Sequence, residues 1–254
     1  EMCGRDWSSD VCSSDLDGKS SLEENVVSAK KKGLKQLAIT DHSFSHMAHG
    51  ITREKYAEQT KIINELKTKY DDIEILHGVE TNLMSLNGDI DVKKSERNNF
   101  DVLVMGYHYS YKPMNIKNFF NFWLPGILRI KTKRRRRVNT MAYINAIKNN
   151  DIDIVAHLNY GIEVDPVEIA KVAKEREVYI ELNAKHLGFT DQQILDMAAT
   201  GVKFIISSDA HLCDNIGRNN TAYATITRLN IPLEQIANIN KIPKFKNYNQ
   251  DKKY

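Results

Sequence analysis

Apolar residues along this chain fall into two alternating rhythms. Short runs of four to seven apolar positions, rich in Ile, Val and Leu, are separated by longer segments in which apolar residues recur every three or four positions. The first rhythm predicts buried strands and the second amphipathic helices. From Asp17 the alternation is regular. Ser20-Ser-Leu-Glu23 reads as a capping box, and Val26, Val27 and Ala29 begin a helix that stops at Gly33, a glycine placed to take the left-handed turn after a helix. A strand over 34–40 follows, then a polar loop with His46 and His49. The next helix runs over about 53–69, with Tyr56, Ile62, Ile63 and Leu66 on its apolar side.

Further strands are predicted at 73–76, 102–105, 152–156 and 204–207, with helices over about 134–148 and 221–229. Asp165-Pro166 forms a cap and first-turn pair for another helix, and Thr190-Asp-Gln-Gln193 is a second capping box. Phe119, Phe120, Phe122, Trp123 and Leu124 lie in the longest insertion, 112–137, and read as packing against the body of the domain. Strands alternating with helices over short connections predict a parallel sheet, closed as a barrel or open and doubly wound.

Six apolar runs end on a polar side chain able to bind metal or orient a ligand. They finish at Thr40-Asp41-His42, Gly78-Val79-Glu80, Gly106-Tyr107-His108, Val155-Ala156-His157, Glu181-Leu182-Asn183 and Ser208-Asp209-Ala210-His211. A (β/α) barrel gathers its active site where strands end, whereas an open sheet collects its ligand mainly at one switch point. Six such endings therefore favour a barrel whose rim collects imidazoles and carboxylates. With no run of thiols, that donor set suits Zn, Mn or Fe and points to a multinuclear metal hydrolase. No Gly-x-Ser-x-Gly element or phosphate-cradling Gly-rich loop competes with it.

A length of 254 residues is ordinary for one barrel domain. The domain is expected over 17–240, with a polar, basic tail at 241–254. Residues 1–16 have no apolar periodicity and carry the near-repeat Ser8-Ser9-Asp10 and Ser13-Ser14-Asp15. They read as a leader outside the fold, either translated adapter sequence or a natural polar segment. With Cys3 and Cys12 in that leader, Cys213 stands alone. No disulfide framework is expected, and a cytoplasmic location fits. No apolar stretch approaches the ~20 residues that span a bilayer, so no membrane partner is expected. Net charge is +3, yet 102–150 contains ten Lys or Arg and no Asp or Glu, leaving +3 − 10 = −7 for the rest. The dense run from Arg129 to Arg137 either attracts phosphate-bearing ligands or forms a solvated helix face.

The elements Asp17-Gly-Lys-Ser-Ser-Leu-Glu-Glu, Gly33-Leu-Lys-Gln-Leu-Ala-Ile-Thr-Asp-His42, Gly78-Val-Glu80, Gly106-Tyr-His108, Ala156-His157 and Ser207-Ser-Asp-Ala-His211 closely resemble the PHP (polymerase and histidinol phosphatase) superfamily, in family order. The resemblance implies a distorted (β/α)7 TIM-like barrel, an α/β fold, binding two or three divalent ions for phosphoester hydrolysis. It places Asp17, His42, Glu80, His108, His157, Asp209 and His211 at metal-ligand positions. Glu80 would bridge two ions, and Glu80 and Asp209 would belong to the catalytic centre. Asp17 also reads as a turn residue. The family begins with a strand ending in His-x-His, but Val11-Cys12-Ser13-Ser14 stands there, so the barrel is expected to lack its first strand and two ligands.

Arg218 is a candidate for phosphate contact or an exposed residue leading a helix, and His186 a candidate facing the substrate. Asp41 and Asn183 read as residues that orient ligands, and His46, His49 and His77 as loop or rim residues. The leading expectation is hydrolysis of a small phosphomonoester, histidinol-phosphate-like, by metal-activated water. A nuclease is the second reading, from basic residues beside aromatics. A binding module with a degenerate metal site is the third, and a metal amidohydrolase the fourth.

Overall fold

A computed structural model of the chain describes residues 9–12 and 20–248. Among the described residues seven parallel strands lie in the order in which they occur: β1 (Ser9–Cys12), β2 (Gln36–His42), β3 (Glu74–Asn82), β4 (Val102–Gly106), β5 (Ile154–Val155), β6 (Tyr179–Asn183) and β7 (Phe204–Ser207). Sequential order with every neighbour parallel requires a crossover on one hand after each strand, which curls the sheet into a nearly closed barrel. The expected α/β class and seven-stranded barrel are the observed ones.

The first strand, expected to be missing, is present. Ser9 to Cys12 pair in parallel with Gln36 to Ile39. The buried Asp10 carboxylate fastens this strand across to the last one, accepting hydrogen bonds from the Ser208 amide (2.8 Å), the Ser208 hydroxyl (2.5 Å) and the Gly217 amide (2.7 Å). Burial raises the Asp10 pKa, and those three donors and the Val11 amide work against that rise. Four residues of the stretch read as a leader thus carry strand pairing, although they lack the apolar run by which a strand is recognised.

The helices follow their caps. α1 (Leu22–Lys31) starts at a capping box made by Ser21 and Glu24, one residue later than the Ser20–Glu23 pair suggested. It ends at Gly33, whose φ is 77°. α2 (Arg53–Lys69) is capped by Thr52 and spans the expected residues. The insertion folds as a continuous helical segment: α3 (Ile116–Asn118), a π-helical turn (Phe119–Trp123) and α4 (Leu124–Ile127). The basic run then opens α5 (Lys133–Asn149) behind a Thr132 cap. α6 (Pro166–Glu175) begins at Asp165 and α7 (Asp191–Ala199) at the Thr190–Gln193 capping box. α8 (Asn220–Arg228) completes the outer layer.

The barrel interior is packed below the site by Val11, Ala38, Leu76, Val102, Val104, Ile154, Ala156 and Ile205. Residues 241–248, expected as a polar tail, close this end: Phe245 is buried in the same cluster, and the Lys246 amide donates to Asp153 (2.8 Å). Asp153 also pairs with the buried Arg97 at 2.6 Å. Arg97 spends its other donors on the Asp151 and Phe100 carbonyls.

Candidate active site

β2, β3 and β4 are in register so that His42 lies opposite Glu80 and Glu80 opposite Val104. His108 and His157 then extend from the ends of β4 and β5. The four side chains converge. His157 Nε2 is 2.8 Å and His108 Nε2 3.3 Å from Glu80 Oε1, and His42 Nδ1 is 3.7 Å from Glu80 Oε2. Ligand atoms of His42, Glu80 and His108 all lie within 4.8 Å of one another. Gly106 makes this approach possible, because a Cβ there would sit 2.7 Å from both Glu80 Oε1 and His157 Cε1 and 3.0 Å from His108 Cε1.

Charge and burial are balanced at this cluster. Burial alone would raise the Glu80 carboxyl, but His108 and His157 outweigh it and hold Glu80 well below the usual carboxylate range. Burial presses the His157 imidazole down. The hydrogen bond to Glu80 and the charges of Glu80, Glu181 and Asp209 win, raising its pKa to about 9. The field that does this would also attract a metal cation. His42 goes the other way, to about 3, because burial and the neighbouring imidazoles of His108, His46 and His157 exceed the pull of Glu80. A neutral imidazole is the form that binds metal.

Asp209 lines a cavity of about 20 Å³ together with Glu80, His157, Glu181, Asn183 and Thr40, its other walls being the apolar Val104, Ala156 and, on the β1 side, Val11. This space is the size of one water or ion. Asp209 (φ 48°) and His157 (φ 26°) both adopt left-handed backbone, which is uncommon for non-glycine residues. Asn183 Nδ2 donates to Asp209 Oδ2 and Glu181 Oε2, each at 3.2 Å. His211 Nδ1 lies 2.9 Å from the Asp209 carbonyl oxygen and 3.7 Å from its Oδ1.

Of the remaining sequence candidates, Asp17 lies outside the described residues. His186 is half-buried and packs on Tyr160 (4.6 Å), whose ring meets His157 at 5.3 Å. Arg218 is exposed beside Lys32. Asp41, expected to orient a ligand, points away from the site toward α2 and accepts from Gln59 Nε2 (2.7 Å). His46, expected outside the ligand set, stacks on His42 with ring centres 4.5 Å apart.

Three residues were not singled out in the sequence. Asn82 Oδ1 is 2.8 Å from His108 Nδ1 and fixes that ring. Asp91 accepts from the hydroxyls of Ser43, Ser45 and Thr81 and from the Asn82 amide, tying together the loops after β2 and β3. Glu181 is buried, accepts from the His157 amide (2.7 Å) and the Ser207 hydroxyl, and has its pKa raised to about 7, chiefly by burial. A period of two along the strand links Glu80 to Asn82 and Glu181 to Asn183, a signal present in the sequence. Beside His157 a larger cavity of about 220 Å³ is lined by Tyr109, Arg129, Arg135, Asn159 and Tyr160, among others.

A seven-stranded parallel barrel with imidazoles and carboxylates gathered at its strand ends defines a class of protein, and the relatives specify it. Residues 12–208 match the PHP domain family, and the chain belongs to it. It is 31% identical over 246 residues to a protein named probable phosphatase from Caldanaerobacter subterraneus subsp. tengcongensis, covering 92% of this chain and 86% of that one. It is 27% identical over 206 residues to the DNA polymerase/3′-5′ exonuclease PolX of Bacillus subtilis, covering 77% of this chain and 32% of the relative. In fold it is similar to histidinol phosphate phosphatase from Lactococcus lactis, solved with zinc, L-histidinol and phosphate. That similarity has a TM-score of 0.64 at 20% identity and covers 97% and 99% of the two chains.

Proposed function

We propose that this protein is a metal-dependent phosphoesterase that hydrolyses a small phosphomonoester of the histidinol phosphate kind. The observation that carries the reading is the convergence of His42, His108 and His157 on the Glu80 carboxylate. Three nitrogens and a carboxylate suit Zn, Mn or Fe. The ion-sized cavity lined by Glu80, Glu181 and Asp209 fits a second cation there.

In this reading His42, Glu80, His108 and His157 hold one ion, and Glu80, Asp209 and His211 face another. Bound divalent ions would supply charge neutralisation for phosphate and an activated water. The protein's own residues do the positioning. Asn82 sets the His108 ring, Asn183 sets Asp209, and Glu181 holds the His157 backbone in its left-handed turn. The organic part of the substrate would lie over Tyr160 and His186 toward the cavity bearing Arg129 and Arg135. From β1 the small cavity receives Val11, so no ligand comes from that wall among the described residues.

The decisive test is Glu80→Gln, which keeps the shape and removes the charge. Bound divalent metal and turnover of a phosphomonoester should both fall, and further than in His186→Ala. A folded Glu80 variant with full metal occupancy would overturn the assignment. The nuclease reading rests on the basic run and on the exonuclease relative. Against it, Phe119 and Trp123 stack on each other at 5.1 Å, each covering one face of the other, and Phe122 is buried, which leaves Phe120 as the exposed ring of the cluster. Oligonucleotide cleavage measured alongside monoester turnover decides between the two.

A further inference from the structure

The insertion after β4 has an outer face that the site does not use. Its inner side is anchored: Phe122 is buried, Gly126 abuts the Tyr107 hydroxyl, and Trp123 bonds to the Tyr109 carbonyl. On the α3–π–α4 segment and just after it, Ile116, Phe120, Ile127 and Leu128 are exposed, with Leu124 half-buried among them. Ile116 is 76% exposed, Leu128 62% and Phe120 58%, with Met114 and Ile130 exposed near them. Single exposed apolar residues are ordinary, but a cluster of them on an anchored helix needs a partner. The flanks are cationic: Lys112, Lys117, Lys131, Lys133, Arg134, Arg136 and Arg137, with no acidic residue from 102 to 150. Among the described residues Lys133, Arg134 and Arg137 have no carboxylate partner, whereas Lys131 and Arg136 reach Glu163 and Asp165.

We propose that this face docks on the surface of a bilayer containing anionic lipids. An apolar cluster rimmed by Lys and Arg is the pattern of a helix lying in the headgroup plane, its aliphatic side chains in the acyl boundary and its cations on lipid phosphates and carboxylates. Charge complementarity selects this occupant. A second copy of the chain would bring the same cations against themselves. Nucleic acid would satisfy the cations but gain nothing from Ile116 and Leu128.

The test is co-sedimentation of the full chain with vesicles of phosphatidylcholine alone or of phosphatidylcholine with phosphatidylserine. Binding should need the anionic lipid and weaken as salt rises. The pair Ile116→Glu and Leu128→Glu should lower partitioning by more than about tenfold. The pair Arg134→Gln and Arg137→Gln should lower it by roughly thirtyfold. All four positions are exposed, so thermal unfolding and turnover of a soluble monoester should stay unchanged and report intact folding. Three outcomes would overturn the proposal: no sedimentation with anionic vesicles, sedimentation that survives both pairs, or oligonucleotide binding or self-association in place of vesicle binding.

Discussion

Gly106 shows how much one missing methyl group governs. Its hydrogen leaves the space in which Glu80, His108 and His157 meet, so Gly106→Ala should drive the Glu80 carboxylate and His157 ring apart. Overpacking of this kind costs about 1–3 kcal/mol, and the larger effect should be on the site. Divalent-metal affinity measured by calorimetry is expected to fall at least about tenfold, as when groups supporting a ligand are lost, while circular dichroism stays native. Unchanged affinity would mean that the cluster does not bind metal as a unit. The four residues of this cluster were legible because each ends or follows an apolar run. Asp91 was not, and Glu181 showed only its period with Asn183, because their importance lies in partners brought in from neighbouring segments, such as Ser43, Thr81 and the His157 amide. A sequence shows a residue's type and period, but not what an adjacent strand sets against it.

Elements with strong local signals were legible in the same way. α2, capped by Thr52, and α7, opened by Thr190 and Gln193, begin where their caps direct. β1 was not legible. Ser9–Cys12 has one aliphatic residue, Val11, and its place comes from pairing with β2 and from Asp10 reaching Ser208 across the barrel. The turn Lys94–Asn99 illustrates the same dependence on tertiary partners, since Arg97 fastens it to β5 through Asp153 in a buried pair. Arg97→Met should leave Asp153 without its countercharge. Removing one partner of a buried pair costs about 3–5 kcal/mol, to be read from urea unfolding. The double change Arg97→Met with Asp153→Leu should recover part of that loss, because no lone charge then remains. A double variant no more stable than the single one would show that the Leu103 and Lys246 amides, the other donors to Asp153, matter more than the arginine.

At the scale of the whole molecule, buried neutral histidine contributes to the response to acid. His77 lies outside the Glu80 cluster, under α2, with its ring stacked on Tyr56 at 4.0 Å and its nitrogens near Thr60 Oγ1 (3.2 Å) and Gln59 Oε1 (3.3 Å). Burial, with a smaller push from Lys67, lowers its pKa from 6.5 to about 3. Between those values the unfolded chain binds a proton that the folded chain refuses. Stability from this residue is therefore full above about pH 6.5 and is lost as pH falls toward 3, with a slope of about 1.4 kcal/mol per pH unit for one group. His42, lowered by burial to about 3, adds in the same direction, while a metal ion held by it would oppose its protonation. Chemical unfolding in chelator at a series of pH values below 6.5 should show a steep loss of stability. His77→Gln, which keeps polar contacts but cannot titrate, should remove about one group's share of that slope even if it lowers stability at neutral pH. A slope identical in both proteins would mean that His77 is protonated inside the fold and that Gln59 and Thr60 accommodate the charge.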